Sequence, residues 1–225
     1  MIHIAANDAT LHRRKAGIIT QNLIFDVDGT LWDTTEIVAG AWNRALTEIG
    51  GLPATLTSVI LKQEFGKTME VIADDLFPDA SKSTKLQIMQ KCCEQEHLAL
   101  SAATDHLLYP KVKETVKQLS KKCRLFIVSN CQSGYVELFL EKSGLKPYIA
   151  DFECYGNTGN GKAENIRLLM ERNQLNEAVY IGDTQGDCDA STSAGIPFLF
   201  ARYGFGTADH FCRAIDRFEE LLDFC

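Results

Sequence analysis

Four short apolar runs, Leu23–Val27, Arg124–Ser129, Ala178–Gly182 and Pro197–Ala201, recur along the chain, each ended by Asp, Ser, Asn or Gly. They are too short for helices and too continuously apolar for strands with one wet face, so they read as strands buried on both sides, as in a parallel sheet. Helical patterns lie between them: Val112–Lys122, Tyr135–Lys142 stopped by Gly144, Ala163–Asn173, Asp187–Ser193 stopped by Gly195, and Phe211–Leu222. A weaker strand signal sits near Asp151–Tyr155. This alternation predicts an α/β fold, a doubly wound parallel sheet with helices on both faces.

From Asp33 to about Leu108 the alternation stops, and only helical patterns appear. Asp33 and Glu36 have capping-box spacing, and Ile37, Ala41, Ala45, Leu46 and Ile49 fall on one helical face before Gly50-Gly51. Further helices fit Leu56–Phe65, Thr68–Leu76 and Ser83 to Leu100. The expectation is an α-helical domain, residues 33–108, inserted after the first strand of a core formed by 21–32 and 109–225, with 1–20 as an amino-terminal arm. At roughly 150 residues per domain, a chain of 225 residues accommodates that arrangement.

The formal net charge of −7 argues against a surface that coats nucleic acid or anionic lipid. No apolar run is long enough to span a membrane, and residues 1–22 lack the apolar block of a secretory signal, so a cytoplasmic protein is expected. The eight cysteines contain no C-x-x-C pair and read as reduced thiols, and the five histidines show no zinc spacing. Oligomeric state has no signature in the chain.

Chemistry-bearing residues gather at the ends of the predicted strands, the edge where open α/β sheets bind ligands. Phe25-Asp26-Val27-Asp28-Gly29-Thr30 closes the first strand. Asp28-Gly29 alone suits a turn, whereas a turn does not explain the acid Asp26 inside an apolar run. Ser129-Asn130 closes the next strand and offers a hydroxyl and an amide to an anion. Lys162 opens a helix after the glycine-rich Gly156–Gly161, where a cation and backbone amides favour an anion, although a solvated lysine is the ordinary reading of one such residue. Gly156 to Lys162 also matches the spacing of a nucleotide-binding loop, but Ala163 replaces the hydroxyl that would hold Mg²⁺ there. Gly182-Asp183-Thr184-Gln185-Gly186-Asp187 closes another strand; Asp187 suits a helix N-cap, and Asp183 has no such structural explanation.

Four aspartates at one edge repel one another, at about 4 kcal/mol for a pair about 4 Å apart at an effective dielectric near 20. A divalent cation relieves this, and hard oxygen donors without Cys or His select Mg²⁺ over zinc or copper. Mg²⁺ together with Lys162 would also neutralise a phosphate dianion enough for a carboxylate to approach it.

The ordered set Asp26-x-Asp28-Gly29-Thr30, Ser129-Asn130, Lys162 and Gly182-Asp183-x-x-x-Asp187 resembles the four motifs of the haloacid dehalogenase-like phosphohydrolases. The helical insertion resembles their helical-cap subfamily, which includes phosphoglycolate phosphatase-like enzymes and β-phosphoglucomutases. The resemblance implies a phosphatase of a small phosphorylated metabolite, with Asp26 as nucleophile and Asp28 as the acid and then base. Ser129 and Asn130 would bind the phosphoryl group, and Lys162 would steady both it and Asp26. Mg²⁺ would be held by Asp26, the Asp28 carbonyl and Asp183, with Asp187 acting through water. Lys67, in Phe65-Gly66-Lys67-Thr68, resembles the specificity loop and would meet an anionic leaving group, while a helix stop followed by an N-cap explains the same residues. Trp32 and Trp42 fit either the cleft or the core. A phosphomutase would use the same first acid and differ in what accepts the phosphoryl group. A phospho-accepting regulatory module is the rival from another class, disfavoured by motif order and by the insertion of roughly 75 residues. A binding protein on a retired catalytic scaffold is disfavoured because every expected acid is present.

Overall fold

The computed structural model describes residues 21–104 and 107–224; the amino-terminal arm expected over 1–20 lies outside them, as do His106 and Cys225. Six strands form one sheet: β1 (Asn22–Phe25), β2 (Arg124–Ser129), β3 (Ile149–Cys154), β4 (Val179–Gly182), β5 (Phe198–Ala201) and β6 (Arg213–Ile215). Every pairing is parallel, in the order β3-β2-β1-β4-β5-β6. The chain builds outward from β1 to β3, then crosses back and builds outward again from β4. The crevice at the carboxyl ends of β1 and β4 is therefore the point where strand order reverses.

Both faces of the sheet are apolar, as the continuous runs require. On one face Ile24, Phe126, Val128 and Tyr180 join Ile166 and Leu169 of α8 (Lys162–Arg172) and Cys188 of α9 (Gln185–Ala194). On the other, Phe25, Leu125, Ile127 and Ile181 join α5 (Val112–Leu119) through Val112 and Val116, and α6 (Tyr135–Ser143) through Val136 and Phe139. The glycine-rich stretch before Lys162 begins as one helical turn, α7 (Tyr155–Thr158). Gly156 presses there against the loop after β2, where a Cβ would lie 2.0 Å from the Ser133 amide nitrogen.

Between β1 and β2 lie the inserted helices α1 (Thr35–Ile49), α2 (Ser58–Glu64), α3 (Met69–Leu76) and α4 (Lys82–Ala102). The long helices α1 and α4 pack together, burying Trp42 and Leu46 with Ile88, Cys92 and Leu100. The two connections to the sheet are stitched side by side: Asp33 N–H donates to Leu107 O (2.9 Å), and Tyr109 N–H donates to Leu31 O (3.0 Å). Among the described residues no helix is long and apolar enough to cross a membrane.

The structure corrects three local expectations. Phe211–Leu222 is not one helix; Arg213–Ile215 extends the sheet as β6, and only from Phe218 does the chain turn helically, as the 3₁₀ segment Phe218–Phe224. Pairing along the open edge of β5, with Ile215 buried, outweighs the helical pattern there. Asp33 forms no capping box with Glu36; its Oδ1 accepts from Thr35 N–H (3.0 Å) and Thr35 Oγ1 (2.6 Å). The buried face of α1 also turns toward Val38, Trp42 and Leu46, leaving Ile49 42% exposed in the last turn.

That rotation separates two residues that the periodicity placed together. Leu46→Ala should lower stability by about 2–5 kcal/mol, and Ile49→Ala by less than about 1 kcal/mol. Denaturant melts of the two variants check this, and equal losses would contradict the observed helix face.

Candidate active site

The carboxyl edge of the sheet gathers the predicted residues. Asp26 follows β1 directly, and its N–H donates to Ile181 O of β4 (2.8 Å), which fixes the loop to the neighbouring strand. Ser129 is the last residue of β2, Asp183 follows β4, and Lys162 opens α8. All four are buried, as is Asp187. Lys162 Nζ donates to Asp26 Oδ1 (2.9 Å) and to Asp187 Oδ1 (2.6 Å).

Asp26, Asp183 and Asp187 each bring a carboxylate oxygen within 4.8 Å of the others. If all three ionise beside one ammonium, −3 + 1 leaves −2, the charge a single divalent cation balances. The donors are all hard oxygens, which suit Mg²⁺. Asp183 is held by Thr30 Oγ1, donating to Oδ1 (3.1 Å), and by the Phe205 N–H, donating to Oδ2 (2.7 Å). Two glycines give it room. Gly29 has φ +81° and a Cβ there would fall 2.1 Å from Asp183 Oδ2, while a Cβ on Gly204 would fall 2.3 Å from Asp183 Cβ. Glycine is thus required at both places on contact grounds, and at Gly29 on backbone grounds as well.

Asp187 has its oxygens spent. Oδ1 takes Lys162, and Oδ2 accepts from Asp183 N–H (3.1 Å), Thr184 N–H (3.0 Å) and Thr184 Oγ1 (2.7 Å). The N-cap of α9 is Thr184, and Asp187 completes the capping box from the third helical position. One residue therefore starts the helix and anchors the lysine.

Burial raises the Asp26 carboxyl to about 6, opposed chiefly by the Lys162 charge. Asp183 is pushed well above the usual carboxylate range by burial and then by Asp187 and Asp26. Burial by itself lowers the Lys162 ammonium, but Asp187 and Asp26 outweigh it and hold the group well above its ordinary value. Asp28 is raised to about 8 by burial, with the Tyr135 hydrogen bond opposing. Its Oδ1 accepts from Tyr135 Oη (2.6 Å), Trp32 Nε1 (3.0 Å) and Thr34 Oγ1 (3.5 Å), and its Oδ2 has no hydrogen-bond partner among the described residues.

Asp26, Asp28, Ser129, Asn130 and Lys67 line one cavity between the sheet edge and the inserted helices. Asn130 Nδ2 donates across it to Gly66 O (2.8 Å). Lys67 is in place, but its ammonium is shared by Glu64 (2.9 Å) and Asp75 (2.7 Å). Trp42 belongs to the cavity wall and is also fully packed, so both readings of it hold.

Sequence reasoning missed Tyr135, Thr34, Gln132 and Glu96, and quoted Thr30 in the first motif without giving it a role. Tyr135, Thr34 and Gln132 reach the site only through folding and carry no local signal. Glu96 does carry one: with Ile88, Cys92 and Leu100 it forms an i+4 stripe on the buried face of α4, an acid among apolar residues, as Asp26 is in β1. Its Oε2 accepts from Trp42 Nε1 (2.8 Å) and its Oε1 from Gln132 Nε2 (2.8 Å).

A family model described as haloacid dehalogenase-like hydrolase matches residues 23–201. A phosphoglycolate phosphatase of Vibrio vulnificus (strain CMCP6) is 26% identical over 216 residues, covering 89% of this chain and 94% of its own. Another, from Pseudomonas syringae pv. syringae (strain B728a), is 25% identical over 228 residues, covering 93% and 81%. Among crystal structures, a predicted phosphoglycolate phosphatase from Haemophilus somnus 129pt is similar with TM-score 0.79 at 20% identity, covering 91% of this chain and 98% of that one. CbbY from Rhodobacter sphaeroides, in complex with phosphate, is similar with TM-score 0.75 at 19% identity, covering 90% and 96%. At these identities the structures share the fold.

Burial pushes the Glu96 carboxyl from 4.5 up to about 7, against the lowering effect of its Gln132 and Trp42 hydrogen bonds. Because the folded value is raised, protonated Glu96 favours the folded state; that stabilisation is complete below about pH 4.5 and is lost as pH rises through about 7. Relative to Glu96→Gln, the wild type should lose on the order of 2 kcal/mol between about pH 5 and about pH 8. Thermal melts should show this as a Tm difference of roughly 4–8 °C, and parallel pH profiles would remove Glu96 as the titrating group.

Proposed function

This chain belongs to the haloacid dehalogenase-like hydrolases, and from that premise we propose that it is a phosphatase of a small phosphorylated metabolite that passes the phosphoryl group through Asp26. The observation that carries the reading is Lys162 Nζ, buried between Asp26 and Asp187 with Asp183 in reach, at the crevice where strand order reverses. A cluster of this sign and depth suits an anionic substrate approached by an anionic nucleophile.

In the proposed reaction an Asp26 carboxylate oxygen bonds to phosphorus while the bond from phosphorus to the leaving oxygen breaks. Asp28, held through Oδ1 by Tyr135, Trp32 and Thr34, gives that oxygen its proton. Asp28 then takes a proton from water as the water oxygen attacks phosphorus, releasing inorganic phosphate and restoring the Asp26 carboxylate. Ser129 and the backbone N–H of Asn130, at the end of β2, would receive the phosphoryl oxygens, because the Asn130 side chain has its donor on Gly66, and Lys162 keeps Asp26 aimed between the two steps. Asp26, Asp183 and the backbone carbonyl of Asp28 would hold Mg²⁺, and Asp187, already engaged by Lys162 and Thr184, would act on it indirectly. The ion, when bound, supplies the positive charge that offsets the phosphoryl oxygens.

Residues 33–108 would serve as a cap that excludes water and contacts the leaving group, with the paired crossings at Leu31–Asp33 and Leu107–Tyr109 as its boundary. A cytoplasmic setting belongs to the same proposal, supported by the free thiols of the described cysteines, of which Cys92 is pushed up to about 12 by burial.

Asp26→Asn should cut phosphate release from p-nitrophenyl phosphate by roughly a thousandfold or more with unchanged circular dichroism, since an amide is a poor nucleophile. Wild-type turnover in that variant would remove Asp26 from the reaction. Chelation by EDTA should abolish activity and added Mg²⁺ restore it; hydrolysis that persists in chelator would refute the metal assignment. Free phosphate as product, with no phosphorylated acceptor formed, separates hydrolysis from phosphoryl transfer to a sugar.

A further inference from the structure

The cavity at Asp26 and Asp28 is small, with a volume of about 30 Å³, and Trp42, Lys67, Glu96, Asn130 and Gln132 are among the residues that line it. Asn130 is fixed in orientation, because its Nδ2 donates to Gly66 O and a flipped amide would set two oxygens against each other. Its Oδ1 is consequently an acceptor, and it is the one buried side-chain oxygen or nitrogen among the described residues without a hydrogen-bond partner. Glu96, 3% exposed, adds a carboxyl group to the lining of the same cavity. Positive charge is not free there. The Lys67 ammonium lies on Glu64 and Asp75, and Lys162 is bound by Asp26 and Asp187.

We infer that this end of the cleft selects a leaving group that presents hydrogen-bond donors and no negative charge, with Glu96 and Asn130 as its specificity-determining residues. The inference rests on the phosphatase reading above and names the substrate class for that same site. A hydroxyl or ammonium group gives Asn130 Oδ1 the donor it lacks and can also donate to Glu96. A carboxylate only accepts, so it leaves Asn130 Oδ1 unpaired and finds no uncommitted lysine in the cavity to receive its charge. Relatives named phosphoglycolate phosphatase act, by that name, on a leaving group that bears a carboxylate; this chain's wall is built for the opposite.

Three phosphate monoesters of matched length test this: 2-hydroxyethyl phosphate, phosphoethanolamine and phosphoglycolate, with p-nitrophenyl phosphate as the general substrate and Asp26→Asn as blank. At least one of the first two should exceed phosphoglycolate by roughly tenfold or more in kcat/KM, and the faster of the pair identifies hydroxyl or ammonium as the donor. Glu96→Gln should narrow the gap by lowering KM for phosphoglycolate relative to the other two. Phosphoglycolate equal to or better than both in the wild type overturns the inference, whether or not the variant folds, while p-nitrophenyl phosphate turnover keeps the phosphatase reading intact. Failure to hydrolyse any of the four overturns that reading and the inference with it.

Discussion

A lysine ammonium buried among carboxylates is the interaction on which the rest of this molecule depends. Lys162 Nζ ties Asp26 after β1 to Asp187 on α9, so one cation joins the central strand, the helix after β3 and the helix after β4. Burial penalises every charge in the group, and the mutual attraction offsets that penalty only while all the elements remain in register. The negative charge left over is what a divalent cation would balance at this edge of the sheet.

The surrounding backbone exists to hold these side chains close. Gly29 and Gly204 have no Cβ because Asp183 occupies the space it would take, and Asp187 spends one oxygen on the Thr184 turn so that the other can face Lys162. The inserted helices contribute from above. Asn130 reaches Gly66, Gln132 reaches Glu96, and Phe65 lies edge-on to Phe205 with ring centroids 6.3 Å apart, so the insertion is seated on the sheet edge by polar and aromatic contacts around a small void. In the proposed reading the insertion would set which leaving group fits without altering the acids beneath it, and family membership leaves the substrate open.

Two kinds of polar residue in this structure look alike in sequence and behave differently. Asp33 reads as a helix cap and does hold the start of α1, though through Thr35 instead of Glu36. Asp187 reads as an N-cap, a place that Thr184 takes, and completes the capping box from the third helical position while also anchoring Lys162. Local hydrogen bonding and active-site positioning are not exclusive roles, and a structural explanation for a residue does not remove it from the chemistry.

The chain by itself determined the parallel sheet, the helical insertion and the placing of Asp26, Asp28, Ser129, Lys162, Asp183 and Asp187 at element ends, because continuous apolar strands and charged strand ends are local signals that survive any packing. The tertiary structure alone decided the sixth strand, since Arg213–Ile215 becomes extended only by pairing with the exposed edge of β5. It also decided that Tyr135, Trp32 and Thr34 converge on one oxygen of Asp28, that Lys67 is claimed by Glu64 and Asp75, and that Asn130 keeps an unpaired acceptor in the cavity that Asp26 also lines. Tyr135 and Asn130 find their partners across long stretches of chain, while Trp32, Thr34 and Lys67 reach near neighbours through loop conformations, and no hydrophobic period encodes either.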